Sequence, residues 1–570
     1  MMIPGVALAE SMIPTATPDE VLTMSFGFMV AAGGLLSLLH ELPNASLGIE
    51  VATILLLVFS LWRFMHSKLI AKVSSADKFG LYCMLASFVL ALSAVLLPVN
   101  DGDVLFLFAQ PWHTRMPFLP GDMVLPFRFT QFLVNHLDVS TTTFYCCGWQ
   151  IYDRTPLMGM VGGYLLGLFR INVSGYPIWG MTQPQVNTSG FYEFWVAGTL
   201  LNASVIFSGY LLIKTIFHQK AARLATIFLV LNPFILWNSF YTSPKSMAAY
   251  FVLLFYYCVV TRRHLPVAGL FAGLAVLSHP YVLVYIVGGM LFLIPSHVGE
   301  IKRDLRRISI MVALLVAVVT PWGLWAYGLH SDFGLFWRMQ AGPSDLTSMV
   351  WTRIVNLYQT LAPYYFGYLP SYTSSFFAES ALLNAEARSH PILTLLGATY
   401  IWTLPGATSL SLATFSYTSL VDKFRSMGRP ILFFIVVPLI LSLAITGHIL
   451  AGLTPYYLHP IVVMLVAFGA LYLLEQGSRP LIALVSFGIV AESLFLTWVL
   501  VYPFYLILRL SSVFDFALFA LILLCYFAVL ITLAHILLEG GRSKRGRRSS
   551  QSRTPALCSS LHFNAAYLND

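Results

Sequence analysis

Two aspartates flank a glycine in Asn100-Asp101-Gly102-Asp103, directly after a long apolar run. A carboxylate at a membrane surface can act as a general base when it lies within hydrogen-bond reach of an acceptor hydroxyl. Asp and Gly also favour polar turns at helix ends, so the motif is equally compatible with a turn that has no chemical role. Asp101 and Asp103 are therefore the candidate catalytic residues, and their spacing does not indicate which of them would be the base.

A second motif, Asp153-Arg154-Thr155-Pro156-Leu157, opens a short apolar run. Pro156 suits the first turn of a helix, and Thr155 or Asp153 could cap that helix. Arg154 is less expected there, because the helix dipole disfavours cations at the N-terminus. An anionic partner, either a phosphate or Asp153 itself, would explain the arginine.

Lys245 follows Tyr241-Thr242-Ser243-Pro244, between two predicted membrane spans. It departs from the positive-inside pattern, because the topology derived below places it on the non-cytoplasmic side. An ammonium group at a membrane surface suits a lipid phosphate as a point charge. The alternative is a lysine at a helix end that extends its amine to the interface.

The fourth group is Tyr456, Tyr457 and His459, in Thr454-Pro455-Tyr456-Tyr457-Leu458-His459-Pro460. These side chains could line a polar site above the bilayer, or they could belong to an aromatic belt at the interface. His279, between two apolar runs at Ser278-His279-Pro280, is a further candidate for the same face. A lone intramembrane histidine is, however, often only hydrogen-bonded to a neighbour.

Composition indicates which elements must position these residues. Of 570 residues, 58% are hydrophobic and 10% are charged, against about 25% charged in an ordinary soluble domain. Many apolar runs are near the ~20 residues that cross a hydrocarbon core, and such runs must be helical because lipid cannot satisfy backbone polar groups. We therefore predict an all-α polytopic protein with about 13 to 14 spans, at roughly 21–39, 46–65, 80–99, 192–213, 224–241, 246–261, 266–278, 281–296, 308–328, 391–412, 430–447, 460–474, 480–503 and 515–538.

The basic residues predict the topology. The formal net charge is +8, and most basic residues lie in short loops and in the tail, which indicates a topological role rather than nucleic-acid binding. If these loops all lie in the cytoplasm, an even number of spans must separate each loop from the next. That condition is met only if residues about 100–190 form one non-cytoplasmic loop. The run at 156–169 would then be an interfacial helix. A second non-cytoplasmic loop is predicted at about 329–390.

The order of these features resembles the GT-C superfamily of membrane glycosyltransferases, which includes protein mannosyltransferases and the aminoarabinose transferase of lipid A. The resemblance covers roughly residues 80–475. It rests on Asp101-Gly102-Asp103, on Asp153-Arg154-Thr155-Pro156-Leu157 and on Pro455-Tyr456-Tyr457-Leu458-His459-Pro460, which is similar to the family's Arg-Tyr-x-x-Pro element. The chain departs from the family where Tyr456 replaces the late arginine, where Asp-Gly-Asp replaces an adjacent acidic pair, and where Asp153-Arg154-Thr155 replaces a basic-Pro or His-Pro element.

The resemblance implies transfer of a sugar from a polyprenyl-phosphate carrier to a lipid, glycan or protein acceptor of the cell envelope, with inversion. Asp101 or Asp103 would deprotonate the acceptor, and Lys245 and Arg154 would stabilise the departing phosphate. Donor-phosphate or substrate binding is expected of the larger set Asp153, Arg154, Lys245, His279, Tyr456, Tyr457 and His459. No protein metal site is predicted, although a divalent cation is a candidate cofactor. The expected location is a bacterial inner membrane, with the active site non-cytoplasmic and membrane lipids as further partners.

The predicted organisation is an N-terminal transmembrane hairpin (1–79), a GT-C-like catalytic region (80–475), C-terminal transmembrane helices (476–539) and a basic, disordered cytoplasmic tail (540–570). One alternative function is a transporter or lipid flippase, which would need ionisable groups deep within its spans. Only Glu50, Glu492 and Arg509 come near that position. The other alternative is an assembly protein without chemistry. The enzyme hypothesis requires the candidate residues to converge on one cavity.

Overall fold

The computed structural model describes residues 2–41, 45–66, 69–95, 121–136, 155–173, 190–240, 243–294, 301–330, 354, 357, 361, 407–445, 458–507 and 513–548. Within these ranges the secondary structure is helical, with no strand. The helices are α1 (Met2–Met12), α2 (Pro18–Ser37), α3 (Ala45–His66), α4 (Leu69–Ser75), α5 (Phe79–Val95), α6 (Gly121–Asn135), α7 (Leu157–Leu168), α8 (Phe191–Ala203), α9 (Val205–Ile216), α10 (Gln219–Val230), α11 (Pro233–Phe240), α12 (Lys245–Thr261), α13 (Leu265–Ser278), α14 (Leu283–Leu293), α15 (Ile301–His330), α16 (Ala407–Ile431), α17 (Val437–Ile445), α18 (His459–Gln476), α19 (Arg479–Ile507) and α20 (Val513–Arg548).

Several of these helices can cross a membrane. By length and apolar composition, six helical segments of the described chain qualify, and α4 with α5, bent by 73°, would add a seventh. Shorter apolar helices, among them α12 and α13, come in addition. The all-α polytopic fold predicted from the sequence is therefore confirmed, while the total of 13 to 14 spans stays a prediction.

The tenth predicted span, at 391–412, lies mostly outside the described ranges, and only its last six residues fall in a described helix. The described helix here is α16, Ala407–Ile431, with a kink at Met427, and residues 391–406 lie outside the described ranges. The first turns of α16 are rich in Ser and Thr, which lowers their apparent hydropathy. Two of these hydroxyls bond within the helix, those of Thr414 to the carbonyl of Leu410 at 2.9 Å and of Ser416 to the carbonyl of Leu412 at 2.8 Å, which lets an apolar helix carry them.

Several helical regions were absent from the sequence prediction, among them α4 (Leu69–Ser75). Helix α1 precedes the first predicted span, and α6 lies within the first predicted non-cytoplasmic loop. Helix α20 continues to Arg548, so the first residues of the tail predicted to be disordered from 540 are helical. Residues 549–570 lie outside the described ranges.

Helix α12 lies at the centre of the bundle. Its residues from Lys245 to Val259 are all buried, and it packs against α8, α9, α13, α14 and α18. A helix that is apolar on every side is expected in such a position. Helices α3, α15 and α20 are peripheral and expose large side chains such as Leu55, Leu324 and Leu524. These exposed apolar faces suit contact with lipid.

Close helix contacts depend on glycine. A Cβ atom on Gly269 of α13 would lie 2.0 Å from the carbonyl oxygen of Met311 in α15. In α7, a Cβ on Gly159 would lie 2.7 Å from the carbonyl oxygen of Pro126, and one on Gly162 would lie 2.6 Å from Thr130 Oγ1. Small residues allow membrane helices to approach this closely. The glycines of α7 therefore serve its packing against α6, within a bundle that also places α2, α3 and α8 against α7.

Charged side chains join several helix termini at one end of the bundle, which we call the basic end. Lys214, at the end of α9, pairs with Asp19 at 2.7 Å and with Asp77 at 3.1 Å. Arg223 of α10 lies 3.9 Å from the same Asp77 carboxylate. The start of α2, the α4–α5 turn and the α9–α10 turn therefore lie on one side, as the basic-loop topology predicts.

Asp77 joins the helix termini of the basic end through hydrogen bonds. Its Oδ2 accepts from the Tyr210 hydroxyl at 2.5 Å and from Gln219 at 2.9 Å, and its Oδ1 accepts from the Phe79 N–H at 3.1 Å. Burial alone would raise the pKa of Asp77, but these hydrogen bonds and the Lys214 ammonium outweigh it and lower the pKa from 3.8 to about 2. The folded protein therefore favours the ionised carboxylate.

We expect Asp77→Asn to lower thermal stability at pH 7. The lowered pKa corresponds to about 2 kcal/mol of stability, which is fully present above the unfolded pKa near 4 and is lost as the pH falls towards 2. The melting temperatures of wild type and variant in detergent, measured from pH 7 down to pH 3, should therefore draw closer together as the solution becomes acidic. A difference that stays constant down to pH 3 would contradict this ionic contribution.

Candidate active site

Three of the nine predicted site residues lie within the described ranges: Lys245, His279 and His459. The other six lie outside them, namely Asp101, Asp103, Asp153, Arg154, Tyr456 and Tyr457. Their roles stay predictions.

Lys245 is the first residue of α12 and is only 5% exposed. The preceding residue, Pro244, makes no side-chain capping bond to the helix. A buried cation at a helix N-terminus is unfavourable for the helix dipole. The other end of α12 lies at the basic end of the bundle, because Tyr257 in its last turn donates a hydrogen bond to Glu20 in the first turn of α2. Seventeen helical residues, or about 25 Å, therefore separate Lys245 from that end.

Tyr281 joins the three described candidates. Its hydroxyl donates to the carbonyl oxygen of Lys245 at 2.9 Å. Its ring centroid lies 5.1 Å from that of His279 and 6.2 Å from that of His459. Residues from three separate parts of the sequence thus meet around one buried phenol, which the sequence analysis did not select. We call Lys245, His279, Tyr281 and His459 the Lys245 site.

The two histidines have defined local structures. His279 has an extended backbone and caps the short 3₁₀ turn Pro280–Val282, where its Nδ1 accepts the Tyr281 N–H at a long 3.4 Å. With Nδ1 as acceptor, a neutral ring would carry its proton on Nε2. His459 begins α18 with 0% exposure, and its ring centroid lies 4.8 Å from that of Phe234. Both rings are buried at the same end of the bundle as Lys245.

Asn202 of α8 holds the segment around Lys245. Its Nδ2 donates to the carbonyl oxygen of Ser243 at 3.0 Å, and its Oδ1 accepts the N–H of Met247 at 3.1 Å. The amide thus bridges the residues two before and two after Lys245. The sequence showed Asn202 only as part of an Asn-x-Ser pattern within a helix, and its side chain is 0% exposed.

Thr155 connects the second predicted motif to the site. Its hydroxyl donates to the carbonyl oxygen of Ser278 at 2.6 Å, beside His279. The prediction that Thr155 caps the following helix is wrong, since its hydroxyl bonds across to the end of α13. Pro156, predicted in the first turn of that helix, is instead its N-cap residue and makes no capping bond. The start of α7 therefore lies directly against the Lys245 site.

Two hydroxyl groups beside Lys245 add polarity. Ser243 is 3% exposed and Ser246 is 0% exposed, and neither Oγ has a hydrogen-bond partner in the described chain. Buried hydroxyls are usually paired. An ammonium group, two hydroxyls and two imidazoles at one end of a membrane bundle are the donors that suit a phosphate.

Two of the three ionisable groups cited for a transporter, Glu50 and Glu492, lie in the described chain and make local contacts. Glu50 pairs with Arg170 at 2.7 Å, near one end of α3. Glu492 accepts the N–H of Thr408 at 3.1 Å, at the start of α16. Arg509 lies outside the described ranges. The ion pair accounts for Glu50, whereas Oε2 of Glu492 is buried with no hydrogen-bond partner in the described chain.

A buried arginine in the first predicted loop was missed by the sequence analysis. Arg128 of α6 is 6% exposed, and its Nη1 donates to Gln131 Oε1 at 2.6 Å. Helix α6 is joined to α7 by the hydroxyl of Thr130, which donates to the carbonyl oxygen of Gly159 at 2.8 Å. An arginine inside an aromatic stretch, Phe127 to Phe132, was the signal available in the sequence.

Metal binding stays open. The described residues contain no group of three or more His, Cys, Asp or Glu side chains that could hold a metal ion. The acidic residues best suited to a divalent cation, Asp101, Asp103 and Asp153, lie outside those residues, so the candidate cation stays a prediction.

Known proteins show no match to this chain in sequence and a weak similarity in structure. No family model and no curated protein matches the sequence. The chain is similar to the crystal structure of ArnT from Cupriavidus metallidurans bound to undecaprenyl phosphate, at 13% sequence identity and a TM-score of 0.43, over 84% of this chain and 81% of that chain. A TM-score this low does not establish a common fold or a common function.

Proposed function

We propose that this protein is a membrane glycosyltransferase of the GT-C type, which moves a sugar from a polyprenyl-phosphate carrier to an acceptor hydroxyl on the non-cytoplasmic face. The observation that carries the proposal is the convergence of Lys245, His279 and His459 around Tyr281, at the end of α12 away from the basic end. The positive-inside rule places the basic end in the cytoplasm. The Lys245 site then faces the outer side, where a lipid-linked sugar would enter from the bilayer.

The donor phosphate would be bound by Lys245, with the hydroxyls of Ser243 and Ser246 as further donors. Arg154 is a second candidate cation, because it directly precedes Thr155, whose hydroxyl bonds to the carbonyl oxygen of Ser278. Positive charge and donors held in a buried site stabilise the charge that develops on a departing phosphate. No nucleotide is needed, since the activated bond already lies in the lipid.

The reaction would be a single displacement. The acceptor oxygen attacks the anomeric carbon while the bond from that carbon to the phosphate oxygen breaks, and the bonding electrons leave with the polyprenyl phosphate. The acceptor proton passes to Asp101 or Asp103, the candidate general bases. Attack from the face opposite the leaving phosphate would invert the anomeric centre.

The test is transfer by the purified full-length protein in nanodiscs, with radiolabelled polyprenyl-phosphate sugars and an envelope extract as acceptor source. We expect label to move to the acceptor and unlabelled polyprenyl phosphate to accumulate in equal amount. Movement of labelled lipid between leaflets of proteoliposomes without sugar transfer would overturn the proposal and favour a flippase.

A further inference from the structure

Asn202 lies in α8, outside every motif that suggested chemistry, yet it makes two hydrogen bonds to the chain around Lys245. We infer that Asn202 is a positioning residue, which sets the place of Lys245 for binding the donor phosphate. This inference rests on the proposed function, because it assumes that Lys245 binds that phosphate.

The geometry limits how the Lys245 segment can move. The Nδ2 group of Asn202 donates to the carbonyl oxygen of Ser243, and its Oδ1 accepts a hydrogen bond from the N–H of Met247. The Tyr281 hydroxyl holds the carbonyl of Lys245 itself at 2.9 Å. Three side-chain hydrogen bonds from two other elements therefore fix a five-residue segment that has Lys245 at its middle.

The Met247 N–H is one of the first backbone N–H groups of α12, which have no intrahelical partner. Asn202 Oδ1 satisfies this group from a neighbouring helix, a role usually filled by a capping side chain next to the helix start. Pro244 cannot fill it, because its side chain has no polar atom. The start of α12, and with it the Cα atom of Lys245, thus depends on a residue more than 40 positions earlier.

An asparagine in a membrane helix is costly unless its amide is satisfied. A purely packing role would be served by an apolar side chain such as leucine, which has the same branching and number of heavy atoms as asparagine but no polar atoms. The amide at this point of contact makes two hydrogen bonds to the Lys245 segment, which leucine could not make.

The test is binding of undecaprenyl phosphate to the purified full-length protein, with Asn202→Leu, Lys245→Met and the double variant. We expect Asn202→Leu to raise Kd about tenfold, as the loss of a buried hydrogen-bonding group commonly does. In the Lys245→Met background the same change should have little further effect, because residues acting through one contact are not additive. Thr199→Val is the matched control, since Thr199 is buried in α8 and, within the described chain, its hydroxyl bonds to the carbonyl of Trp195 one turn earlier at 2.8 Å.

Undecaprenol and inorganic phosphate test binding of the lipid chain and of the phosphate group separately. Undecaprenol should bind wild type and Asn202→Leu equally, whereas inorganic phosphate should compete with the lipid less well in the variant. Equal weakening of undecaprenol binding would overturn the inference, as would fully additive effects in the double variant. If Lys245→Met weakens binding but Asn202→Leu does not, only the inference fails; if Lys245→Met leaves Kd unchanged, the proposed phosphate role of Lys245 itself fails.

Discussion

Replacing Lys245 by methionine should lower kcat/KM for sugar transfer by about 100-fold or more, as the removal of one charge-stabilising donor from an enzyme site typically does. Lys245 is buried at the start of α12, where a cation is unfavourable unless an anion compensates it. Methionine keeps the length of the side chain and removes the charge. The variant should therefore fold normally and lose affinity for the donor phosphate.

The measurement is the initial transfer rate at several donor concentrations, with thermal stability as a check on folding. Lys220→Met is the matched control, because Lys220 is exposed in α10 at the basic end. It should keep wild-type activity. Lys245→Arg should retain part of the activity, since arginine preserves the charge with a different geometry. Unchanged kinetics in Lys245→Met would remove the phosphate site from the proposal.

Asp101→Asn and Asp103→Asn should separate the base from its neighbour. Loss of a general base commonly costs about 10² to 10⁴ in rate, so one of the two variants should lose most of its kcat and the other far less. Binding of undecaprenyl phosphate should stay close to wild type in both, since neither carboxylate is proposed to hold the phosphate. The measurements are the sugar-transfer rate of each variant and its Kd for undecaprenyl phosphate.

Asp138→Asn provides a comparison from the same predicted loop, where an aspartate lies outside any proposed motif. It should leave kcat unchanged. Full activity in both Asp101→Asn and Asp103→Asn would mean that Asn100-Asp101-Gly102-Asp103 is only a polar turn.

Much of the fold was predictable because lipid imposes a simple rule: each long apolar run must be a helix. The rule fails where a helix is not uniformly apolar. Helix α16 carries Thr408, Ser409 and Ser411 in its first turns and Asp422 and Lys423 further along, so residues 413–429 were not predicted as part of a span. Helix α6 contains Arg128 and Gln131 and was left within a loop for the same reason.

The site was predictable only in part. Lys245, His279 and His459 were selected because each is a polar residue at the border of an apolar run, which is visible in sequence. Tyr281 and Asn202 were not selected, because their roles come from contacts with residues 36 to 45 positions away. Such contacts depend on which helices are neighbours, and hydropathy does not encode that information.

The two ends of the bundle are held by different forces. Ion pairs among Asp19, Asp77 and Lys214 join the helices at the basic end, whereas hydrogen bonds to backbone and ring contacts join them around Tyr281. Salt screens the first kind far more than the second. An increase in ionic strength would therefore weaken the basic end of the bundle more than the contacts around Tyr281.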